Sequence, residues 1–232
     1  MRCLSHYSLL LAVAALGCTS EPTASTLPLR GGSLDASIRV VNAGLGSITV
    51  SVDGATSLVT LATGELNTIA VAAGAHSVQM SQISDGASFT LPVSVASGAY
   101  ANLAAQKNLS GSFTASILAD TGAIPAPGMG KLRVLHLAVN AGKLDIWRTQ
   151  PDYQTPITFM FPFNVGANTG FMQSTPGVWN VRVWKSTPGL DFDPSGWNSP
   201  LDQLQVQVSA AWIRTVMVLD APGGGVKLKV LE

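Results

Sequence analysis

The sequence predicts an all-β chain of two tandem antiparallel β-sandwich modules, and three observations predict it. One opening occurs twice: residues 38 to 52 read IRVVNAGLGSITVSV and residues 132 to 147 read LRVLHLAVNAGKLDIW, the second with a loop two residues longer. Apolar and polar residues alternate with a period of two, as Ile38, Val40, Ile48, Val50 and Val52 do against Arg39, Thr49 and Ser51. The composition, 47% hydrophobic and 11% charged with 23 glycines, suits short strands and tight turns and is poor for helical surfaces.

At 232 residues the chain has room for two modules of about 100 residues, each able to bury its own core. Thirteen basic and thirteen acidic residues give a formal charge of zero. That balance provides no electrostatic footprint for nucleic acid or an anionic membrane, so nucleic acid is not an expected partner.

Met1 and Arg2 precede an apolar run from Leu9 to Leu16 that ends in Gly17 and Cys18. The run is shorter than the roughly 20 residues of a spanning helix, so residues 1–17 read as an export signal. Ala15, Leu16, Gly17 and Cys18 resemble the bacterial lipobox, in which the cysteine is acylated and the chain is cut before it. Ala15 departs from the usual leucine. Cys18 is therefore the expected lipid anchor and a membrane the expected partner, against the alternative of an ordinary cleavage site. Thr19 in place of aspartate directs such an anchor to the outer membrane, by the same resemblance. After cleavage Cys18 would be the sole cysteine, leaving no internal disulfide, so the fold must rest on its cores.

Residues 18–36 are rich in Thr, Ser, Pro and Gly without apolar periodicity, and read as a flexible tether. The first module, residues 37–120, follows the twin strands of its opening with strands expected at Leu58 to Ala62, Asn67 to Val71, Ala75 to Met80, Phe89 to Val95, Ala99 to Ala105 and Ser112 to Leu118. Turns fall at Asp53-Gly54, Gly64, Gly74, Asp85-Gly86 and Ser97-Gly98. Such spacing indicates a sandwich of the immunoglobulin-like or prealbumin-like kind. Residues 121–130, TGAIPAPGMG, form a linker in which prolines and glycines stop any strand. The second module, residues 131–232, repeats the first: Arg133 matches Arg39, GVWNVRV from Gly177 matches GAHSVQM from Gly74, and the close at Val226 to Leu231 matches Ser112 to Leu118. All five tryptophans lie in this second copy.

The openings Arg39-Val-Val-Asn-Ala with Val50-Ser-Val-Asp-Gly, and Arg133-Val-Leu-His-Leu with Leu144-Asp-Ile-Trp, resemble the bacterial family called domain of unknown function 4397. The likeness is spread over strands through nearly all of residues 37 to 232, with Asn42 where the pattern has histidine and Arg148-Thr149 where it has an Asp-Gly turn. It implies an exported or surface-anchored β-sandwich protein and assigns no catalytic residue.

Chemistry-bearing patterns are few. His76 shares parity with Val78 and Met80, and His136 aligns with Asn42; neither has a histidine or carboxylate at metal-ligand spacing, so both read as structural polar residues. No serine lies in a nucleophile elbow, and Gly128-Met-Gly-Lys131 lacks the glycine, the hydroxyl residue and the helix of a phosphate loop. In DFDPSGWNSPLD, residues 191 to 202, Asp191, Asp193, Ser195 and Asp202 have the oxygen-ligand spacing of a calcium loop, with Gly196 at the turn. Pro194, Pro200, the strand flanks and an aspartate in the last position favour an ordinary polar loop instead. Trp184, before this loop, and Trp197, within it, are the candidate ligand-stacking aromatics, whereas Trp179 alternates with Val181 and Val183 and should be core. The expected function is a non-catalytic envelope lipoprotein with a structural or adhesive role and no required cofactor. The rival is a module binding a glycan or an envelope protein through the second copy, with calcium as a possible aid; a hydrolase ranks third because no acid and base pair can be nominated.

Overall fold

In a computed structural model, which describes residues 35–44, 46–56, 58–108, 110–119, 124–149, 156–158, 163–186 and 199–231, the alternating pattern becomes two sets of eight strands. The first set is β1 (Ala36–Asn42), β2 (Ile48–Val52), β3 (Val59–Leu61), β4 (Leu66–Val71), β5 (Gly74–Gln82), β6 (Ser88–Val95), β7 (Tyr100–Lys107) and β8 (Phe113–Ile117). The second is β9 (Gly130–His136), β10 (Leu144–Thr149), β11 (Pro156–Thr158), β12 (Met172–Ser174), β13 (Gly177–Lys185), β14 (Asp202–Val208), β15 (Ile213–Asp220) and β16 (Val226–Leu231). One short 3-10 turn, Val139–Ala141, occupies the longer loop of the second opening.

Each set forms two four-stranded sheets, β4-β1-β7-β8 with β3-β2-β5-β6, and β12-β9-β15-β16 with β11-β10-β13-β14. Every pairing of the first set recurs in the second. Within this all-β sandwich fold one pairing per copy is parallel, β1 with β7 and β9 with β15, where the sequence suggested antiparallel sheets throughout. The reason is connectivity: five strands separate β1 from β7, so their joining is a crossover and is not held to hairpin geometry. The second copy begins as a strand at Gly130, where a Cβ would collide with Val208 and stand 2.6 Å from the Ser209 carbonyl.

The registers fix which residues are equivalent. Arg39 faces Asn102 and Arg133 faces Thr215; Val52 faces Val78 and Arg148 faces Val181; Gly74 faces Val95 and Gly177 faces Val208. Inward positions build one core per copy. Ile38, Val40, Ile48, Val50, Val78, Met80 and Leu103 fill the first; Leu132, Val134, Leu144, Ile146, Trp179, Val181 and Val183 fill the second. Phe163 also joins the second core, and Trp179 lies where its parity put it.

A third core lies outside both sandwiches. Val41, Ala43, Ala104 and Leu118 from the outer face of the β1 sheet join Leu135, Leu137, Met217, Leu219 and Leu231 from the outer face of the β9 sheet. By register, Val41 and Leu135 are equivalent, as are Ala104 and Met217. The duplicated faces thus pack on each other with small side chains on one side and large ones on the other, which lets layers interdigitate without voids. Residues Gly32–Glu232 accordingly form one compact unit.

Polar contacts close the ends of this seam. Arg133 donates to the Ala119 carbonyl at 2.6 Å and to Thr215 Oγ1 at 2.8 Å, and Lys229 Nζ donates to the Gly64 carbonyl at 3.2 Å. Asp220 is buried, accepts the Asn140 N–H and side-chain amide at 3.1 Å each, and packs against Gly44. A Cβ at Gly44 would lie 2.5 Å from the Asp220 carboxylate, and φ there is +135°, so two requirements exclude a side chain. Burial raises the Asp220 pKa, opposed by Asn140, Val139 and the charge of Lys107.

Met217→Ala truncates a seam side chain at a site of 0% exposure and is expected to cost about 2–5 kcal/mol in urea unfolding. Because the seam joins both copies, tryptophan fluorescence, which reports only the second, should give the same shifted midpoint as circular dichroism.

Candidate functional site

The chemistry-bearing side chains of the described residues fall at four places. The first is the end of the antiparallel β2–β5 pair. Asp53, in the left-handed conformation at φ 53°, opens the turn after β2 and sits opposite Ser77 by the strand register. Its Oδ1 accepts the Ser77 N–H at 2.9 Å and its Oδ2 lies 2.8 Å from His76 Nδ1. The other ring nitrogen, Nε2, lies 2.7 Å from the Ala72 carbonyl. Both neighbours are acceptors, so both nitrogens donate and the arrangement holds an imidazolium. Burial lowers the His76 pKa, but the Asp53 hydrogen bond, the Ala72 carbonyl and the Asp53 charge outweigh it, and the net shift is upward. A ring donating from both nitrogens has no lone pair with which to act as a base.

His136 is the second place. It points into the core of the second copy at 0% exposure, and Nε2 donates to the Gly142 carbonyl at 2.7 Å. The tautomer is thereby set, and Nδ1 is buried without a hydrogen-bond partner. Burial pushes its pKa down, partly offset by the Gly142 bond, so the ring stays neutral.

Comparing the copies explains both rings. His136 stands where Asn42 stands in the first copy, and Asn42 Nδ2 donates to the Gly46 carbonyl at 2.7 Å, Gly46 being the residue two before β2 as Gly142 is two before β10. His76 stands where Trp179 stands in the second copy, and Trp179 Nε1 donates to the Thr175 carbonyl at 2.9 Å, again four residues back. At each site a side chain that does not titrate near neutral pH makes the same hydrogen bond in the other copy. Asp53 escaped the sequence reading because it stands 23 positions from His76; only the pairing of β2 with β5 brings them together.

The third place is the outer face of the β10, β13 and β14 strands. Trp147 and Trp184 meet edge to face with centroids 6.3 Å apart and planes at 82°. Arg182 lies opposite Trp147 and Asp145 opposite Trp184 in the strand register. Trp147 and Arg182 are buried, while Trp184 and Asp145 are half-buried. Burial raises the Asp145 pKa, with Ser186 opposing it by a hydrogen bond. On the inner face the family-pattern departure at Arg148 becomes a tie across the core: its guanidinium bonds Ser174 Oγ and the Gln173 carbonyl and stacks 4.6 Å from the Trp179 ring. Burial lowers its pKa to about 10.

Asp202 is the fourth. Its Oδ1 accepts the Gln203 N–H at 2.8 Å and its Oδ2 accepts the Leu228 N–H at 2.7 Å, so it clips the start of β14 to β16. Among the described residues no group of three or more His, Cys, Asp or Glu is placed to hold a metal ion. Asp191, Asp193, Ser195 and Trp197 lie outside the described residues, as do Cys18 and the rest of the expected signal and most of the tether. Of the candidate stacking pair, then, Trp184 is placed, beside Trp147. The exposed Trp212, capped by Arg214 at 4.1 Å, was not singled out by pattern. No helix of the described residues is long and apolar enough to cross a membrane.

Residues 36–147 match the family model described as Domain of unknown function (DUF4397). The match runs from β1 into β10, through one whole sandwich and the repeated opening of the next. No curated protein matches the chain.

Two pH effects of opposite sign follow from the histidines. The raised His76 pKa adds stability below the unfolded value of about 6.5 that is lost as pH rises through the folded value. Asp53→Asn should lower the His76 titration midpoint measured by NMR and remove that contribution. The lowered His136 pKa adds stability present above about 6.5 and lost as pH falls toward the folded value. In urea unfolding at pH 7.5 and pH 5, His136→Asn is expected to lose less stability on acidification than the parent chain.

Proposed function

We propose that this chain, which belongs to the DUF4397 family of domains of unknown function, is a non-catalytic lipoprotein of the bacterial cell envelope, with a structural or adhesive role. One observation carries the non-catalytic reading: each histidine of the sandwiches makes a hydrogen bond that asparagine or tryptophan makes at the equivalent place in the other copy. A group whose contact survives replacement by a non-titrating side chain is a framework donor. The seam supports the mechanical part, since two sandwiches joined by a shared core behave as one stiff body. Cys18 and the preceding apolar run support the anchor, with the tether separating the sandwiches from the bilayer. The outer membrane is the proposed location.

A second reading, a glycan-binding module, draws on the half-buried Trp184 with Asp145 across from it, an aromatic face beside a carboxylate able to accept sugar hydroxyls. Mass spectrometry of the mature N-terminus should find an acylated Cys18; an unmodified terminus elsewhere would end the lipoprotein reading. On a glycan array the intact chain is expected to bind nothing, whereas binding that disappears on Trp184→Ala would replace the structural reading with the second one.

A further inference from the structure

Strands β6 and β14 occupy the same place in the two copies, each the last strand of its sheet. Their edges differ. Ser77 directs both its N–H and its carbonyl to Asp53 and so away from β6, which leaves its partner Pro92 with its nitrogen facing outward from the sheet. Proline there has no N–H to offer, and the first copy's edge is guarded. In the second copy the equivalent residue is Gln205, opposite Asn180. Leu201 donates to Val183 and Ser186 to Lys143, so odd residues of β13 face β14 and even ones face β10. Asn180 is even; Gln205 therefore directs its N–H and carbonyl outward, and Gln203 and Gln207 follow by parity.

Several other edges are short or charged. Strands β3, β11 and β12 have three residues each, and β16 carries Lys227 and Lys229. Of the described edge strands with neither proline nor lysine, β14 is the longest, at seven residues. Its one charge, Asp202, has both oxygens on backbone N–H groups, one of them Gln203 N–H. Gln203, Gln205 and Gln207 are exposed, uncharged and evenly spaced about Gln205.

We propose that β14 is a strand-pairing edge whose occupant is a second copy of this chain, joined antiparallel about a two-fold axis at Gln205. Self-pairing fits because the strand is its own complement. Gln205 would exchange two backbone hydrogen bonds with the partner's Gln205, and Gln207 would donate to the carbonyl of the partner's Gln203. That pairing leaves Gln203 N–H on Asp202. Side-chain amides then meet amides, each both donor and acceptor, with no like charge across the axis. The two β10 sheets become one sheet of eight strands, and the open edge is closed. This pairing is independent of whether Cys18 carries lipid.

Sedimentation equilibrium of the full chain in density-matched detergent tests it. The parent chain should sediment at twice its own mass, and Gln205→Pro, which copies Pro92 at the same register, should sediment as a monomer that keeps the parent's circular dichroism spectrum and a cooperative melt. Should the proline variant fail to fold, Gln205→Lys decides, since it keeps the backbone N–H but sets like charges across the axis, and dissociation should be at least tenfold tighter in the parent. A monomeric parent at all concentrations, or a dimer that survives a folded Gln205→Pro or the Gln205→Lys substitution unweakened, overturns the proposal.

Discussion

Side chains that a lone sandwich would leave in water are what hold this molecule to its shape. Val41, Ala43 and Ala104 lie on the outer face of the first copy, and each is 1% exposed or less because Leu135, Leu137, Met217 and Leu219 of the second copy cover them. An isolated sandwich with that face bare would expose a contiguous apolar patch. Covering it with the equivalent face of the duplicate solves the problem for both copies, and the burial scales with apolar area at about 25 cal/mol per Å². Much else in the structure follows from this contact. Gly44 must lack a side chain because Asp220 of the other copy occupies the space, Arg133 reaches back to Ala119, two residues beyond the last strand of the first copy, and Lys229 caps a turn across the seam.

Duplication also makes the chain its own control. Each polar group in a buried position can be compared with the residue at the same place in the other copy. Asn42 and His136 both hold the carbonyl of a glycine in the loop between the first two strands, and the two-residue insertion in the second copy coincides with the longer reach of an imidazole. His76 and Trp179 both hold a carbonyl four residues back. Where the copies diverge without such a match, the change is in packing: Arg148 replaces Val52 in the core and lies over the indole that replaces His76. On the outer face of the second copy Trp147, Arg182 and Trp184 stand where the first has Ser51, Gln79 and Ser81.

Most strands could be read from the chain because a half-buried strand writes its two faces as alternate residues, as Ile48, Val50 and Val52 do. Trp179 was placed in the core by the same parity. The alternation carries no information about which strand lies beside which, and so the parallel pairing of β1 with β7 was not visible. Nor could parity tell that Val41 and Leu135 are interior. Each breaks the alternation beside a residue already assigned inward, and only the arrival of a second sheet gives its exposed face a neighbour. The Asp53 and His76 contact was hidden for a related reason, since its two members are close in register and distant in sequence.

By itself, then, the amino-acid sequence determined the fold class, the duplication and most strand positions, because these depend on local period and turn chemistry, which are properties of short windows. Tertiary structure alone decided that the two sandwiches share a core, that both histidines hold carbonyls, and that Pro92 and Gln205 give equivalent edges opposite character. These depend on sheet stacking and on which way a backbone amide faces, and such relations arise only when segments far apart in the chain come within hydrogen-bonding and van der Waals distance.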